Sequence, residues 1–307
     1  MGSSSAHRRQ KWERPISHNK YGAGSVTLVF APVPTSTLSS ILMKRSAFFA
    51  LLLSLVTVLA ASAQQAVKPM KVLLITGGCC HEYGKQKDIL KKGLEARANI
   101  VVDQMHSDDT TTKPTFPFHT NPDWAKGYDL VIHDECSSDI KDEAIVKNIL
   151  KAHADGIPAV NLHCAMHSYR TGKGEWFDYL GLESSSHGPQ VPIELAIIDD
   201  SHPITKGTMA WTTINEELYN NVKIYDSAHP LIRGKQGAGD DPAVNNTVVT
   251  WTHEYGAKKT RVFSTTLGHN SETVADDRYL DMVSRGLLWA AGKLKDDGTP
   301  VAGYGPK

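Results

Sequence analysis

The stretch PAVNLHCAMHSYR, Pro158–Arg170, decides how the rest of the chain is read. A short apolar run reaches His163, then Cys164, then a second histidine, His167, four positions after the first. A run of this length that breaks off into polar residues reads as a buried strand entering a turn. A sharp strand-to-helix elbow needs small residues two before and two after its tip, because bulk there clashes. With Cys164 at the tip those places hold Leu162 and Met166; with His163 they hold Asn161 and Ala165. The steric demand puts His163 at the tip. Cys164 then turns sideways, as a small buried hydrophobe rather than a reactive thiolate.

Outward from the elbow the same kind of segment recurs. MKVLLIT (Met70–Thr76), NIVVDQM (Asn99–Met105) and YDLVIHDE (Tyr128–Glu135) read as further strands. Between them, YGKQKDILKKGLEARA (Tyr83–Ala98) sets Ile89, Leu90 and Leu94 on one helical stripe. DIKDEAIVKNILKAHADG (Asp139–Gly156) sets Ile145 and Ile149 one turn apart and stops near a glycine. Alternating strands and helices imply a parallel sheet covered on both faces. Polar His106–Asp123, with three prolines, reads as a long loop.

The second half is more mixed. PIELAIID (Pro192–Asp199) reads as a strand, and Gly234–Asp241 as a Gly/Asp-rich loop. NTVVTWTHEYG (Asn246–Gly256) and TRVFSTTLGH (Thr260–His269) read as adjacent strands joined by a turn. DDRYLDMVSRGLLWAAGKL (Asp276–Leu294) is an amphipathic closing helix with an acidic start. The expectation is one α/β domain over residues 70–294, a three-layer sandwich with a mostly parallel central sheet. Residues 64–69 are then a linker and 295–307 a flexible tail.

Upstream, MKRSAFFALLLSLVTVLAASAQQ begins at Met43 with two basic residues, runs apolar to Ala60 and ends in Ala61-Ser62-Ala63. That is the layout of a cleaved secretory signal over 43–63, and the apolar run is shorter than the ~20 residues of a bilayer span. A periplasmic or secreted location, without stable membrane insertion after cleavage, is the expectation. Residues 1–42 lack periodicity and read as a non-native or disordered extension. From Gln64 onward 26 basic and 32 acidic residues give a net charge of −6. That leaves no basic footprint for nucleic acid and favours a small neutral or polar ligand. Four cysteines, Cys79, Cys80, Cys136 and Cys164, permit three full pairings, and spacing does not choose among them.

Ligands of an open parallel sheet bind beyond the carboxyl ends of its strands. At those ends stand Cys79-Cys80-His81-Glu82, His133-Asp134-Glu135-Cys136, His163-Cys164 and Gly268-His269-Asn270. Four histidines at four strand ends are expected to converge on one crevice. His106, His119, His153, His187 and His229 read as surface residues. A metal would need three protein ligands. His81, His163 and His269 are the candidate set for a divalent ion, with Glu82, Glu217 or Glu254 contributing; His163 and His167 are the alternative pair. No HExxH-type signature accompanies them.

Several segments together resemble the ThuA-like (trehalose-utilisation) family, relatives of the class I glutamine amidotransferases. They are KVLLITGGCCHEYG, PAVNLHCA, DDSHPITKG, NEELY and, most specifically, WTHEYGAKKTRVFSTTLGHN followed by RGLLWAAG. The resemblance implies a flavodoxin-like sandwich with its site at the elbow edge and no amidotransferase cysteine. Carried over position by position, it marks His81, His163, Glu217, His269 and also His202 as recurrent polar residues; His202, standing before a proline in a turn, reads as structural. It also implies a carbohydrate substrate, notably an oxidised (3-keto) glucoside or a disaccharide such as a trehalose derivative. The vicinal Cys79-Cys80 and the strand-end His133 depart from the family pattern.

The residues then fall into roles. His163 is the central acid or base, His269 its partner, His81 orients or polarises the substrate, and Glu217 holds a sugar hydroxyl or tunes a histidine. His133, Glu82, Glu254 and Asn270 are expected to bind substrate, and Trp176, Trp211 and Trp251 offer a stacking face or fill the core. The rival readings are a non-catalytic sugar-binding protein and a cysteine hydrolase acting through Cys164. Nothing in the pattern speaks to assembly.

Overall fold

The computed structural model describes residues 67–237 and 245–307. The expected signal segment 43–63, the 1–42 extension and half of the Gly/Asp-rich loop lie outside them. Four strands, Met70–Gly78 (β1), Ile100–Ser107 (β2), Leu130–Cys136 (β3) and Ala159–Leu162 (β4), form the first half of the sheet. The helices between them are Tyr83–Glu95 (α1) and Glu143–Ala154 (α2), with Glu175–Leu180 (α3) following the elbow. After the two-residue strand Leu182–Glu183 (β5) come His187–Ile197 (β6), Thr212–Tyr219 (β7), the short Lys223–Ile224 (β8) and His229–Lys235 (β9). Asn245–Tyr255 (β10), Thr260–Thr265 (β11), Ser271–Val274 (α4) and Asp277–Ala290 (α5) complete the described elements.

Nine of the strands make one sheet in the order β2-β1-β3-β4-β11-β10-β9-β6-β7, while β5 and β8 pair separately. The run β2 to β11 is parallel, and β10 turns the sheet antiparallel. All seven residues of β3 are buried, and β1 exposes only Lys71. Continuous burial is what a parallel strand with a layer on each face requires. One face carries α1 and α5 through Leu90, Leu94, Leu280, Val283 and Leu287. The other carries α2 and α3 through Val146, Ile149, Leu150, Trp176 and Tyr179. The three layers match the expected fold class.

Caps explain where two of the helices begin. Asp142 accepts from the backbone N–H of Ala144, and Asp276 accepts from that of Arg278. A carboxylate there satisfies an N–H that the helix leaves open. Expected as a free tail, residues 295–307 instead fold back. Asn99 donates from Nδ2 to the Gly303 carbonyl at 2.8 Å, and the Tyr304 carbonyl accepts from the Asn99 N–H at 3.1 Å. A buried asparagine beside the start of β2 supplies part of that anchor, and the Val301 N–H donates to the Lys293 carbonyl at 2.8 Å. Among the described residues no helix is long and apolar enough to cross a membrane.

Candidate active site

The elbow forms where expected. β4 ends at Leu162, and His163–His167 coil into one 3-10 turn with His163 at φ 42°. A non-glycine residue held there stores strain that the surroundings must over-determine. They do so from three sides. The Trp176 indole donates to the Ala165 carbonyl at 2.8 Å, His163 Nδ1 donates to the Thr266 carbonyl at 2.7 Å, and only 2% of His163 is exposed. Gly268, at φ 123°, lets the loop after β11 pass between the elbow and α5: a Cβ there would lie 2.9 Å from the Tyr279 hydroxyl and 3.5 Å from His163 Cβ.

Three imidazoles meet at this edge. Ring centroids are 4.6 Å apart for His81 and His163, 4.9 Å for His81 and His269, and 5.4 Å for His163 and His269. Glu217 enters from β7, with Oε2 3.5 Å from His163 Nε2 and Oε1 3.3 Å from His269 Nδ1. The latter is an off-line ion pair rather than a linear hydrogen bond. The Tyr219 hydroxyl also lies 3.5 Å from His163 Nε2.

Electrostatics sets the protonation pattern. Burial, reinforced by the two neighbouring imidazoles, pushes His81 down to about 2, so its ring is neutral. The Glu217 carboxylate holds His269 above the ordinary imidazole value, outweighing burial. Burial pushes the Glu217 carboxyl up, yet the close approach of the His163 and His269 imidazoles outweighs it and holds the group well below the usual carboxylate range. Because His163 Nδ1 donates to a carbonyl, its lone pair is at Nε2 in the neutral ring. With that ring neutral, its Nε2 lone pair and the His269 imidazole, which Glu217 favours in the acid form, lie a few ångströms apart.

Residues to which the sequence assigned no site role surround and position this set. Gln86, buried on α1, donates from Nε2 to the carbonyls of Gly268 at 3.3 Å and His269 at 3.0 Å. Glu216, fully buried, accepts the backbone N–H groups of His269 at 3.1 Å and Asn270 at 3.4 Å. Exposed His187 comes within 3.7 Å of Glu217 Oε1 from the strand beside β7. A polar glutamine on an apolar helix stripe, and a second glutamate in NEELY, were the available signals.

The expected substrate contacts divide. Glu82 accepts from Ser271 Oγ at 2.6 Å, and Asn270 donates from Nδ2 to the Asn215 carbonyl at 2.6 Å, so both sit on the rim beside His81 and His269. His133 does not converge with them. Strand side chains alternate faces, and His133 points into the layer under α2, where Nδ1 meets Glu135 at 2.8 Å and Nε2 meets His153 at 3.0 Å. His153 and His119 are likewise buried rather than at the surface. Glu254 also lies elsewhere. It pairs in register with Arg261 on β11, whose other end reaches the elbow, so antiparallel β10 carries Glu254 to the opposite edge of the sheet. There it borders a depression with Asp199, His202, His229 and His253. Trp176 and Trp251 are core, and Trp211 lies beneath the Arg278 guanidinium at 4.2 Å.

One nitrogen from each of His81, His163 and His269 lies within 4.8 Å of the others, so this set could close on a divalent ion. The cysteines pair as Cys79–Cys80 and Cys136–Cys164, which removes a free Cys164 thiol from this state.

The model of a family described as trehalose utilisation, ThuA, matches residues 71–290. A ThuA-like protein from Parabacteroides merdae is 22% identical, with 78% of this chain and 98% of that one covered and a TM-score of 0.57. A ThuA-like protein from Bacteroides uniformis is 17% identical, with 76% and 96% covered and a TM-score of 0.57. A GMP synthase protein from Thermoplasma acidophilum is 9% identical, with 73% and 94% covered and a TM-score of 0.46. No curated protein matches the chain.

Proposed function

Since the chain belongs to the ThuA, trehalose-utilisation family, we propose that it is an exported enzyme acting on an oxidised (3-keto) glucoside or disaccharide. The carrying observation is the imidazole pair at the elbow: His163, whose Nδ1 is tied to the Thr266 carbonyl so that Nε2 faces the site, and His269, whose acid form Glu217 favours. A proton on the carbon next to a ketone is removable because the electron pair left behind spreads onto the carbonyl oxygen. His163 Nε2 takes that proton, and the His269 imidazolium stabilises charge developing on the oxygen. The same acid can then hand a proton to carbon or to a departing glycosidic oxygen. Neutral His81 orients the carbonyl, and rim residues Glu82 and Asn270 meet sugar hydroxyls. The two disulfides suit the oxidising compartment beyond a cleaved leader.

The test is a mass-spectrometric screen of 3-keto glycosides and trehalose against the purified protein and a His163→Ala, His269→Ala variant. Product formed by the former and not the latter supports the proposal. Binding without product supports a sugar-binding protein instead. The close approach of the three imidazole nitrogens favours a second reading, in which a divalent ion supplies Lewis-acid stabilisation of the ketone oxygen. Turnover abolished by a chelator and restored by a transition metal distinguishes it.

A further inference from the structure

We infer that Cys79, Cys80, Cys136 and Cys164 form a two-stage thiol–disulfide relay, passing reducing equivalents from an external dithiol to the bond beneath the elbow. Cys79–Cys80 lies in the loop after β1, and Cys136–Cys164 joins the end of β3 to the elbow turn. The two disulfides touch, with Cys79 Sγ 3.6 Å from Cys136 Sγ. Their access differs. Cys80 is exposed, whereas Cys136 is 4% and Cys164 6% exposed. A reductant in solution meets only the outer pair.

The contact is built into the backbone. Gly78 sits at φ 101° against Cys136, where a Cβ would lie 2.3 Å from the Cys136 carbonyl oxygen. Only glycine lets the loop lie so close, and Cys80 next to Cys79 is itself held at φ 81°. Disulfides exchange by attack of a thiolate on one sulfur with departure of the other, and Cys79 is in contact with its target before any movement.

The steps balance. One thiolate of a small dithiol attacks Cys80 Sγ, the Cys79–Cys80 bond breaks, and Cys79 leaves as a thiolate. The second thiolate of the dithiol closes it to a cyclic disulfide and releases Cys80. Cys79 then attacks Cys136 Sγ, a Cys79–Cys136 bond forms, and Cys164 departs and takes up a proton. Cys80 attacks Cys79, the outer disulfide re-forms, and Cys136 departs and is protonated. The dithiol loses two electrons and two protons, and the inner pair gains them. The result matters for the site, because the sulfurs of Cys136 and Cys164 lie within 4.8 Å of a His81 nitrogen. Reduction sets two thiols beside the triad and unties the elbow from β3.

Cys80→Ser in the full chain tests the relay, since it leaves Cys79 unpaired against Cys136. Cys79, Cys136 and Cys164 fall on separate tryptic peptides. Alkylation without reductant is expected to label Cys164 and to leave a Cys79–Cys136 cross-linked peptide. Label on Cys79 with Cys136–Cys164 intact overturns the inference. A second measurement follows dithiothreitol reduction of the inner pair in the wild type and in Cys79→Ser, Cys80→Ser. Loss of the outer pair is expected to slow that reduction by about tenfold or more, the gain lost with a tethered thiol. Equal rates overturn it.

Discussion

His163 Nδ1 donates across 2.7 Å to the carbonyl oxygen of Thr266, which ties the tip of the elbow to the strand beside it. The bond fixes the tautomer, holds a side chain whose backbone sits at φ 42°, and aims Nε2 at Glu217 and Tyr219. One contact thus links backbone strain to the chemistry at the edge.

His163→Gly separates the two. Glycine and alanine both forfeit a buried imidazole and its bond to the Thr266 carbonyl, so each is expected to lower stability. Only glycine also relieves αL strain of about 1 kcal/mol, so thermal unfolding is expected to find it about that much more stable than His163→Ala. Turnover is expected to fall by about 100-fold or more, the usual worth of a positioned acid or base. A glycine variant no more stable than the alanine variant contradicts the strain argument.

Glu217→Gln removes the carboxylate that keeps His269 charged. The acid form is needed, so wild-type activity is lost as pH rises through the raised His269 value. In the variant that limb is expected to move to lower pH, with kcat/KM lower at neutrality. A pH–rate profile with an unmoved alkaline limb contradicts the assignment.

His133 belongs to structure. His153 Nδ1 donates to the Ile157 carbonyl at 2.8 Å, so its Nε2 accepts from His133, and one further proton lies between His133 and Glu135. The Tyr169 hydroxyl donates to the same carboxylate at 2.7 Å. His133→Ala leaves buried partners unsatisfied and is expected to cost about 2–4 kcal/mol, measured by denaturant unfolding. Activity per folded molecule is expected to be unchanged. Glu254→Ala, at the opposite edge, is expected to leave both stability and turnover near wild type.

Acid weakens the fold through imidazoles buried neutral. Burial pushes His153 down to about 3 and His167 down to about 2. Below an ordinary imidazole value near 6.5 the unfolded chain binds protons that the folded chain refuses, so stability falls with pH. Each such group, His81 of the site included, implies a loss of up to about 1.4 kcal/mol per pH unit between pH 6 and 4. His269, held above its ordinary value, acts the other way: its stabilisation is present below that value and fades as pH rises through the raised one. Melting curves across that range check the slope, and a flat response contradicts it.

Much of this was legible in the chain. The steric rule at Asn161 and Ala165 located the elbow tip, and the continuous apolar runs gave the parallel strands. What escaped depends on facing and direction. His133 is one residue out of phase with Asp134, and a period of two sends it under α2. Glu254 sits near a conspicuous strand pair, but β10 runs against β11, so proximity in sequence to His269 misled. Gln86 and Glu216 act through backbone groups of a distant loop, so the polar residue on an apolar stripe and the second glutamate in NEELY mark them without showing what they hold.

The most direct measurement follows solvent deuterium into the carbon next to the ketone of a 3-keto glucoside by NMR. The wild-type protein is expected to exchange that proton far faster than buffer, and His163→Ala and His269→Ala to lose the acceleration while remaining folded. Exchange no faster than buffer with the wild type, or undiminished in both variants, contradicts an acid–base pair at the elbow.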